Sequence, residues 1–297
     1  MKELLFRGSA CAIVTPFKGA EKEVDLSKLE ELIHFQIEND TQAIVVCGTT
    51  GEAATLSYEE RRICVKTAVK AVDKKVPIIV GTGSNNTETA VRLSNEAEKE
   101  GVDGLLIVTP FYNKASQDGI VAHYKYIAHR VSTPIIVYNV PSRTGVDIKP
   151  ETYQELAKID RIIGIKEANG NISSVVKTFA LCRDKLAIYS GNDDQTIPIM
   201  ALGGQGVISV AANVIPKTMQ NICSLCLHRR YSDAVHLQDR ICKLEELLFA
   251  DINPIPVKAL MNLMGLCEDS VRLPLTQCKD SLLYDLSNQA EILKMMR

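Results

Sequence analysis

One lysine of this sequence lies inside an apolar run, an unusual place for a charged side chain. The run is Ile162-Ile163-Gly164-Ile165-Lys166-Glu167-Ala168, with Lys166 near its end. If this run forms a buried strand, loss of hydration favours the neutral form of the amine. A neutral amine is a nucleophile toward carbonyl groups, with which it forms Schiff bases. The alternative is that Lys166 extends from the strand end into water, as an isolated lysine usually does.

Other short segments carry side chains that suit carbonyl chemistry. Tyr138 supplies a phenol, and the adjacent Thr49 and Thr50 supply hydroxyl groups that carry protons. Arg143 supplies a guanidinium, which pairs with carboxylates. Each feature alone has an ordinary explanation: a core tyrosine, a tight turn or a surface ion pair. Together with Lys166 they predict a Schiff-base enzyme that acts on a carbonyl compound bearing a carboxylate.

These residues must be positioned by a regular architecture, and the chain shows one. Eight short runs rich in β-branched residues alternate with longer segments of helical periodicity, which predicts parallel βαβ units. The predicted strands are Ala10 to Val14, Ala43 to Cys47, Ile78 to Gly81, Gly104 to Val108, Ile135 to Asn139, Ile162 to Lys166, Ala187 to Ser190 and Gly206 to Val210. The predicted helices are Leu26 to Glu38, Tyr58 to Val72, Thr87 to Lys99, Gly119 to Arg130, Pro150 to Ala157, Ile172 to Cys182, Thr196 to Leu202 and Pro216 to Arg230.

The predicted strands are continuously apolar, as expected when both faces of a sheet are covered. Eight such units predict an α/β fold, the (β/α)8 TIM barrel. A doubly wound sheet is the alternative, but Gly81-Thr82-Gly83 is followed by Asn86 where a dinucleotide-binding loop has its third glycine. Strand signals stop after about Arg230. We therefore expect a catalytic barrel over residues 1–230 and a C-terminal helical region over residues 231–297.

The polar residues that follow the predicted strands would meet at one rim of the barrel. In this fold the catalytic groups lie at the carboxyl ends of the strands. The residues expected at this rim are Thr49 and Thr50 after strand two, Tyr112 after strand four, Tyr138 on strand five, Lys166 on strand six and Gly191 after strand seven. The sequence therefore predicts a single site at this rim.

Composition excludes several other classes of function. With 34 basic and 36 acidic residues, the net charge of −2 offers no excess of positive charge for nucleic acid. The apolar runs are far shorter than the ~20 residues of a membrane-spanning helix. Nine cysteines form no disulfide framework, which favours reduced thiols in the cytoplasm. We expect a soluble cytoplasmic protein that binds neither nucleic acid nor membranes.

No segment has the spacing of a metal site. Cys223 and Cys226, with His228 nearby, come closest, but residues three apart on an amphipathic helix share the face that packs inward. A second pair at ligand spacing and a His-Glu-x-x-His motif are both missing from the sequence. The expected chemistry is therefore free of metals and of external cofactors.

Four segments resemble the dihydrodipicolinate synthase family, and the likeness covers nearly the whole chain. They are Gly48 to Glu52, Tyr138 to Gly145, Gly164 to Ala168 and Asn253 to Lys258. In that family pyruvate condenses with the lysine, and the enamine attacks L-aspartate 4-semialdehyde. Cyclisation then gives 4-hydroxy-tetrahydrodipicolinate, on the route to diaminopimelate and lysine. The resemblance also implies a homotetramer that is a dimer of dimers.

The resemblance assigns proton-transfer roles by matching position. It implies that Lys166 forms the Schiff base and that Tyr138 is the proton carrier beside it. Thr50 would link Tyr138 to Tyr112, which the family donates across the dimer interface. The site would therefore be complete only in an oligomer.

Substrate contacts follow from the same resemblance. Thr49 would contact the pyruvate carboxylate, and Arg143 would hold the carboxylate of the semialdehyde through two hydrogen bonds. The backbones of Gly191 and Ile208 would line the pyruvate pocket. An N-acetylneuraminate lyase is the nearest alternative, but a sugar-acid lyase would replace Arg143 by a residue suited to a polyol. A non-catalytic barrel protein would not need Lys166 and its partners together.

The residues at the positions that bind the inhibitor lysine differ from those of the family. Members that lysine inhibits bind it at the dimer interface through an asparagine, a glutamate, a tyrosine and histidines. Here the matching positions carry Asn85, Tyr58, Arg61, Thr89 and Phe111. The glutamate is replaced, and Arg61 adds a positive charge near a cationic ligand, so we expect weak or absent inhibition by lysine.

Overall fold

Eight parallel strands close into a barrel, which confirms the predicted (β/α)8 fold. The computed structural model describes residue 2 and residues 4–295 of the chain. Within these residues each barrel strand pairs with its neighbours along the chain, and the first strand also pairs with the eighth. The strands are β1 (Gly8–Ala12), β2 (Ala43–Val46), β3 (Ile78–Gly81), β4 (Gly104–Val108), β5 (Ile135–Asn139), β6 (Ile162–Glu167), β7 (Ala187–Ser190) and β8 (Gly206–Ser209).

Helices form the outer layer, with one longer helix after each strand. They are α1 (Leu26–Glu38), α2 (Tyr58–Val72), α3 (Thr87–Lys99), α4 (Gln117–Ala128), α5 (Pro150–Leu156), α6 (Ile172–Cys182), α7 (Thr196–Ala201) and α8 (Pro216–Leu227). Three further helices, α9 (Tyr231–Leu248), α10 (Ile255–Leu263) and α11 (Asp280–Met295), follow the barrel. A single helical turn, Pro141–Thr144, precedes α5.

The first strand begins two residues earlier than the sequence predicts. Gly8 already pairs with Gly206, whereas the backbone N–H of Val14 donates to the side chain of Asn213 at 3.1 Å instead of to a strand. A short antiparallel hairpin, Phe17–Lys18 with Glu23–Val24, then closes the loop before α1. Strands of two residues carry no periodic signal, so the sequence gives no indication of this hairpin.

Strand alternation divides the apolar side chains into two layers. One cluster fills the barrel interior with small and branched side chains, and a larger one lies between the strands and the helices. Members of the interior cluster include Ala10, Ala12, Val45, Ile79, Leu106, Ile136 and Ile208. Because both faces of every strand are covered, the strands read as continuous apolar runs. The barrel interior is therefore a packed core, and chemistry is confined to its rim.

The C-terminal helices share the outer core with the barrel helices. Leu244, Leu260 and Leu286, from three different helices, belong to the same buried cluster as the outer faces of the strands. The division of the chain at residue 230 stays a prediction, since one continuous core crosses it.

A buried ion pair joins this C-terminal region to the loop after β2. Lys258 Nζ lies 2.6 Å from Glu52 Oε1, and the two side chains are 0% and 1% exposed. The same ammonium donates to the carbonyl of Ser270 at 2.7 Å and lies 4.1 Å from the ring centroid of Phe17. Glu52 Oε2 accepts from the backbone N–H of Arg272 at 3.0 Å. These contacts offset the loss of hydration of the two charges.

We expect Lys258→Met to lower the free energy of unfolding by about 3–5 kcal/mol, because the Glu52 carboxylate would stay buried without its counter-charge. Denaturant unfolding followed by circular dichroism measures the change. Lys217→Met is the matched control: its ion pair with Asp40 is about half exposed, so the loss should be below about 1 kcal/mol. Equal stability of the Lys258→Met and Lys217→Met proteins would contradict the assigned role of the buried pair.

Candidate active site

Lys166 and Tyr138 lie side by side at the carboxyl end of the barrel. They are register partners on β6 and β5, and Lys166 Nζ is 4.4 Å from the centroid of the Tyr138 ring. Lys166 is 5% exposed and Tyr138 7%. The alternative that Lys166 extends into water is therefore wrong. The structure brings a buried amine and a buried phenol together at the rim.

Burial decides the charge states of this pair. It lowers the pKa of Lys166 from 10.5 to about 8, since a buried ammonium loses its hydration; the Asp193 carboxylate opposes this shift and the Arg143 guanidinium adds to it. Roughly a tenth of the amine is then neutral at pH 7. Burial also raises the pKa of Tyr138, which keeps the phenol protonated. The site thus combines a nucleophile with a proton donor.

The two threonines of the loop after β2 have different partners. Thr49 forms a hydrogen bond with the Tyr138 side chain that lowers the pKa of the phenol. Thr50 is turned toward the C-terminal region, where its Oγ1 accepts from Asn253 Nδ2 at 3.0 Å. The structure therefore places Thr49, rather than Thr50, in the position that links to Tyr138. Sequence order does not show which of two adjacent side chains faces the barrel axis.

This loop is held by close backbone contacts as well as by the buried ion pair. Cys47 and Glu52, at its two ends, have φ angles of 54° and 50°, in the left-handed region. Thr15 Oγ1 donates to the carbonyl of Gly51 at 2.7 Å. A Cβ on Gly81 of β3 would lie 2.2 Å from the carbonyl oxygen of Cys47, so only glycine fits there. The loop is thereby fixed beside Tyr138.

Arg143 lies at the mouth of the site. It belongs to the helical turn Pro141–Thr144, and its Nη2 donates to the backbone carbonyl of Asn253 at 3.3 Å. Its side chain is exposed, and within the described residues no carboxylate forms an ion pair with it. Its remaining N–H groups can bind a carboxylate in the fork geometry that arginine provides.

Gly191 and Ile208, which the resemblance assigns to the pyruvate pocket, lie directly after β7 and within β8. The N–H of Gly191 donates to the carbonyl of Glu167 at 2.7 Å, and a Cβ on Gly191 would lie 2.7 Å from the Cβ of Ala168. This glycine lets the loop after β7 approach the end of β6. Ile208 is fully buried in the interior cluster. Their contact with a substrate stays a prediction.

Tyr112 is not part of the site within one chain. Its side chain is 88% exposed, its φ is 72°, and it makes no hydrogen bond to any described residue. The next residue anchors the loop that carries Tyr112: Asn113 Nδ2 donates to the carbonyl of Asn85 at 2.9 Å. A side chain presented to solvent in this way has its partner outside the chain or has none.

Asp193 is a buried residue of the site that the sequence reasoning missed as a functional group. Its Oδ2 accepts from the N–H groups of Val210 and Ala211 at 3.1 and 2.9 Å. Its Oδ1 has no hydrogen-bond partner among the described residues. The carboxylate stabilises the charged form of Lys166. The signal available in the sequence is its place three residues after the end of the predicted strand Ala187 to Ser190.

The described part of the chain shows neither a cluster of metal ligands nor a membrane-spanning helix. Within residue 2 and residues 4–295, no group of three or more His, Cys, Asp and Glu side chains is placed to hold a metal ion. Cys223 and Cys226 are both buried on α8. None of the helices in this part of the chain combines the length and apolarity needed to span a membrane.

Two of the positions that match the lysine-binding residues of the family lie at the exposed loop of Tyr112: Phe111 precedes it, and the carbonyl of Asn85 accepts from Asn113. Arg61 donates to the carbonyls of Ala53 and Gly81 at 3.0 and 3.4 Å, so its guanidinium is held close to the rim. The nearby Glu88 already accepts a hydrogen bond from the hydroxyl of Tyr126. Weak inhibition by lysine stays a prediction.

Comparisons with known proteins agree with this geometry. The model of the dihydrodipicolinate synthetase family matches residues 5–293. The 4-hydroxy-tetrahydrodipicolinate synthase of Clostridium novyi (strain NT) is 48% identical over 287 residues, which are 97% of this chain and 96% of that protein.

Solved structures of dihydrodipicolinate synthases superpose closely on this chain. The dihydrodipicolinate synthase of Thermotoga maritima superposes with a TM-score of 0.96 at 42% identity, over 98% of this chain and 100% of that one. The dihydrodipicolinate synthase of Acinetobacter baumannii, in complex with pyruvate, has a TM-score of 0.95 at 42% identity, over 97% and 99% of the two chains. With its barrel, its buried lysine and these matches, the chain belongs to the dihydrodipicolinate synthetase family.

Proposed function

We propose that this protein is a 4-hydroxy-tetrahydrodipicolinate synthase, which condenses pyruvate with L-aspartate 4-semialdehyde through a Schiff base on Lys166. The observation that carries the proposal is the buried amine with a pKa of about 8, 4.4 Å from the phenol ring of Tyr138. The reaction needs no external cofactor, because the protonated imine itself withdraws electrons from the pyruvate carbons.

The first half of the reaction uses the neutral amine of Lys166. Its nitrogen attacks the keto carbon of pyruvate, and loss of water leaves a protonated imine. Loss of a proton from the methyl group then gives the enamine, whose carbon attacks the aldehyde of the second substrate. The amino group of that substrate finally attacks the imine carbon, which closes the ring and releases the lysine.

Each of these steps moves a proton, and Tyr138 is the group placed to carry it. Its phenol stays protonated because burial raises its pKa, and Thr49 is its hydrogen-bond neighbour. The relay continues to solvent through Thr49 and a Tyr112 supplied by a neighbouring copy of the chain. The exposed position of Tyr112 supports a homodimer as the active unit, and we propose a tetramer of two such dimers in the cytoplasm.

The two carboxylates of the substrates need separate binding groups. Thr50 accepts a hydrogen bond from Asn253 and keeps its own hydroxyl proton, so it can donate to the carboxylate of pyruvate. Gly191 and Ile208 border the same space. Arg143 at the mouth binds the carboxylate of the semialdehyde. A guanidinium at this position disfavours a polyol substrate, and so disfavours a sialic acid lyase.

The nucleophile is tested by trapping with pyruvate and cyanoborohydride across a range of pH. One reduced adduct per chain should form at Lys166, and its rate should rise with pH and level off above about pH 8, as the ammonium loses its proton. Asp193→Asn should move the midpoint to lower pH, because its carboxylate stabilises the ammonium. Intact mass and peptide mapping measure both.

Lys166→Ala should abolish the adduct. Lys258, also buried but paired with Glu52, should stay unmodified in every sample. An adduct on another lysine, or a rate that keeps rising to pH 10, would exclude the proposed nucleophile.

Arg143→Ala should leave the pyruvate adduct intact but lower turnover with aspartate semialdehyde about 30-fold or more, as expected when a charged hydrogen-bonding partner worth about 2 kcal/mol is lost. A coupled steady-state assay measures turnover. Arg143→Lys keeps the charge without the fork and should fall between the alanine variant and the native enzyme. Native turnover in Arg143→Ala would remove this residue from the site.

Mixing inactive Tyr112→Phe and Lys166→Ala chains should restore activity. A hybrid dimer holds two sites, of which one has a native lysine from one chain and a native tyrosine from the other, so purified hybrids should approach about half of native activity. The hybrids are purified with two affinity tags and assayed, with each parent variant refolded alone as the control. Verified hybrids without activity would argue against a shared site.

A further inference from the structure

The direction of Lys166 depends on a register shift in β6. Ile135 of β5 pairs with Ile162, but the next residue, Ile136, pairs with Gly164, so β6 contains one extra residue at this point. Such a bulge changes which face of the sheet the following residues point to. Ile163 lies in the interior cluster, and simple alternation from it would turn residue 166 toward the helices. The bulge turns Lys166 into the barrel instead.

The next residue pair is joined on the opposite face of the sheet. Asn139 and Glu167 are register partners directly after Tyr138 and Lys166, and Asn139 Nδ2 donates to Glu167 Oε1 at 3.0 Å. Asn139 is 0% and Glu167 2% exposed. β5 and β6 thus carry two adjacent pairs of side chains. Lys166 and Tyr138 point into the barrel, and Asn139 and Glu167 point toward the helices.

Both members of the outward pair are held from the sides. Tyr153 of α5 donates its hydroxyl to Glu167 Oε2 at 2.8 Å, and the N–H of Asn169 donates to Oε1 at 2.9 Å. Asn139 Nδ2 also donates to Asp147 at 2.8 Å, while its Oδ1 accepts from the N–H of Ile148 at 3.2 Å. Burial raises the pKa of Glu167 to about 7. The hydrogen bonds to its carboxylate favour the charged form.

We propose that Asn139 and Glu167 are positioning residues, whose cross-strand hydrogen bond fixes the register of β6 beyond the bulge and so keeps Lys166 facing Tyr138. The inference rests on the proposed Schiff-base function of Lys166. Neither residue reaches the barrel interior, so each acts through its chain neighbour. A slip of one residue would return Lys166 to the helix side.

If Asn139 and Glu167 only stabilise the fold, removing their hydrogen bonds should affect stability and adduct formation differently than if they position Lys166. Any lost buried hydrogen bond lowers stability, whichever partner of Glu167 supplies it. Of these two side-chain bonds, the one from Asn139 joins β5 to β6, whereas the one from Tyr153 joins β6 to a helix. Removing these two bonds separately therefore distinguishes register from stability.

The experiment compares Asn139→Ala with Tyr153→Phe in the full-length protein. The rate of pyruvate adduct formation, trapped by cyanoborohydride at pH 8, should fall tenfold or more in Asn139→Ala and stay within threefold of native in Tyr153→Phe. Denaturant unfolding checks that both variants are folded. Native trapping in Asn139→Ala, or equal losses in the two variants, would overturn the proposal. A native protein that forms no adduct would instead overturn the function of Lys166.

Asn139→Asp provides a second readout if the alanine variant does not fold. The titratable and charged groups around position 139 are Glu167 on β6, Tyr153 on α5, and Asp147 with Lys149 in the loop after β5. At low pH a protonated aspartate can donate to Glu167, whereas at high pH the carboxylates repel. Relative to native, trapping by Asn139→Asp should fall at least fivefold between pH 6 and pH 8.5. A ratio to native that stays constant over this pH range would contradict the proposed cross-strand hydrogen bond between positions 139 and 167.

Discussion

The dehydration of one ammonium group is the constraint on which this structure depends. An amine becomes a useful nucleophile near neutral pH only if its charged form is made unfavourable, and burial at the top of a packed barrel does this for Lys166. The same burial would stop the chemistry if proton carriers were not buried with it. Tyr138, buried beside the amine, and the half-buried Thr49 that hydrogen bonds to it are the carriers we propose. Asp193 limits the fall in the pKa of Lys166, so that its charged and neutral forms stay close in free energy.

Buried polar side chains lie between the apolar core and the rim. Glu167 and Glu52 are fully hydrogen bonded and buried directly beside residues that we propose to act on the substrates. Buried polar groups of this kind specify one arrangement, because any other leaves a donor or acceptor unpaired. The rim is therefore positioned by a polar layer, while the stability of the barrel comes mainly from its two apolar clusters.

Sequence pattern predicted all eight barrel strands, the ring of helices and the presence of Lys166, Tyr138, Thr49 and Arg143 at one rim. Continuous apolar runs carry that information because burial on both faces dictates composition. The pattern could not indicate side-chain direction: the bulge in β6 and the divergent partners of Thr49 and Thr50 arise from local geometry that leaves residue types unchanged. It also could not reveal Asn253 or Lys258 as supports of the rim, since their partners are about 200 positions away.

The long separation of Glu52 from Lys258 has a consequence for the newly made chain. Their 206 positions correspond to about 10 to 40 s of synthesis, during which the Glu52 carboxylate, at the end of the loop after β2, lacks the Lys258 ammonium. The barrel strands and Lys166 are complete well before α10 leaves the ribosome. A product that ends before α10 would thus contain Lys166 but would leave the Glu52 carboxylate without the buried ammonium that pairs with it in the complete fold.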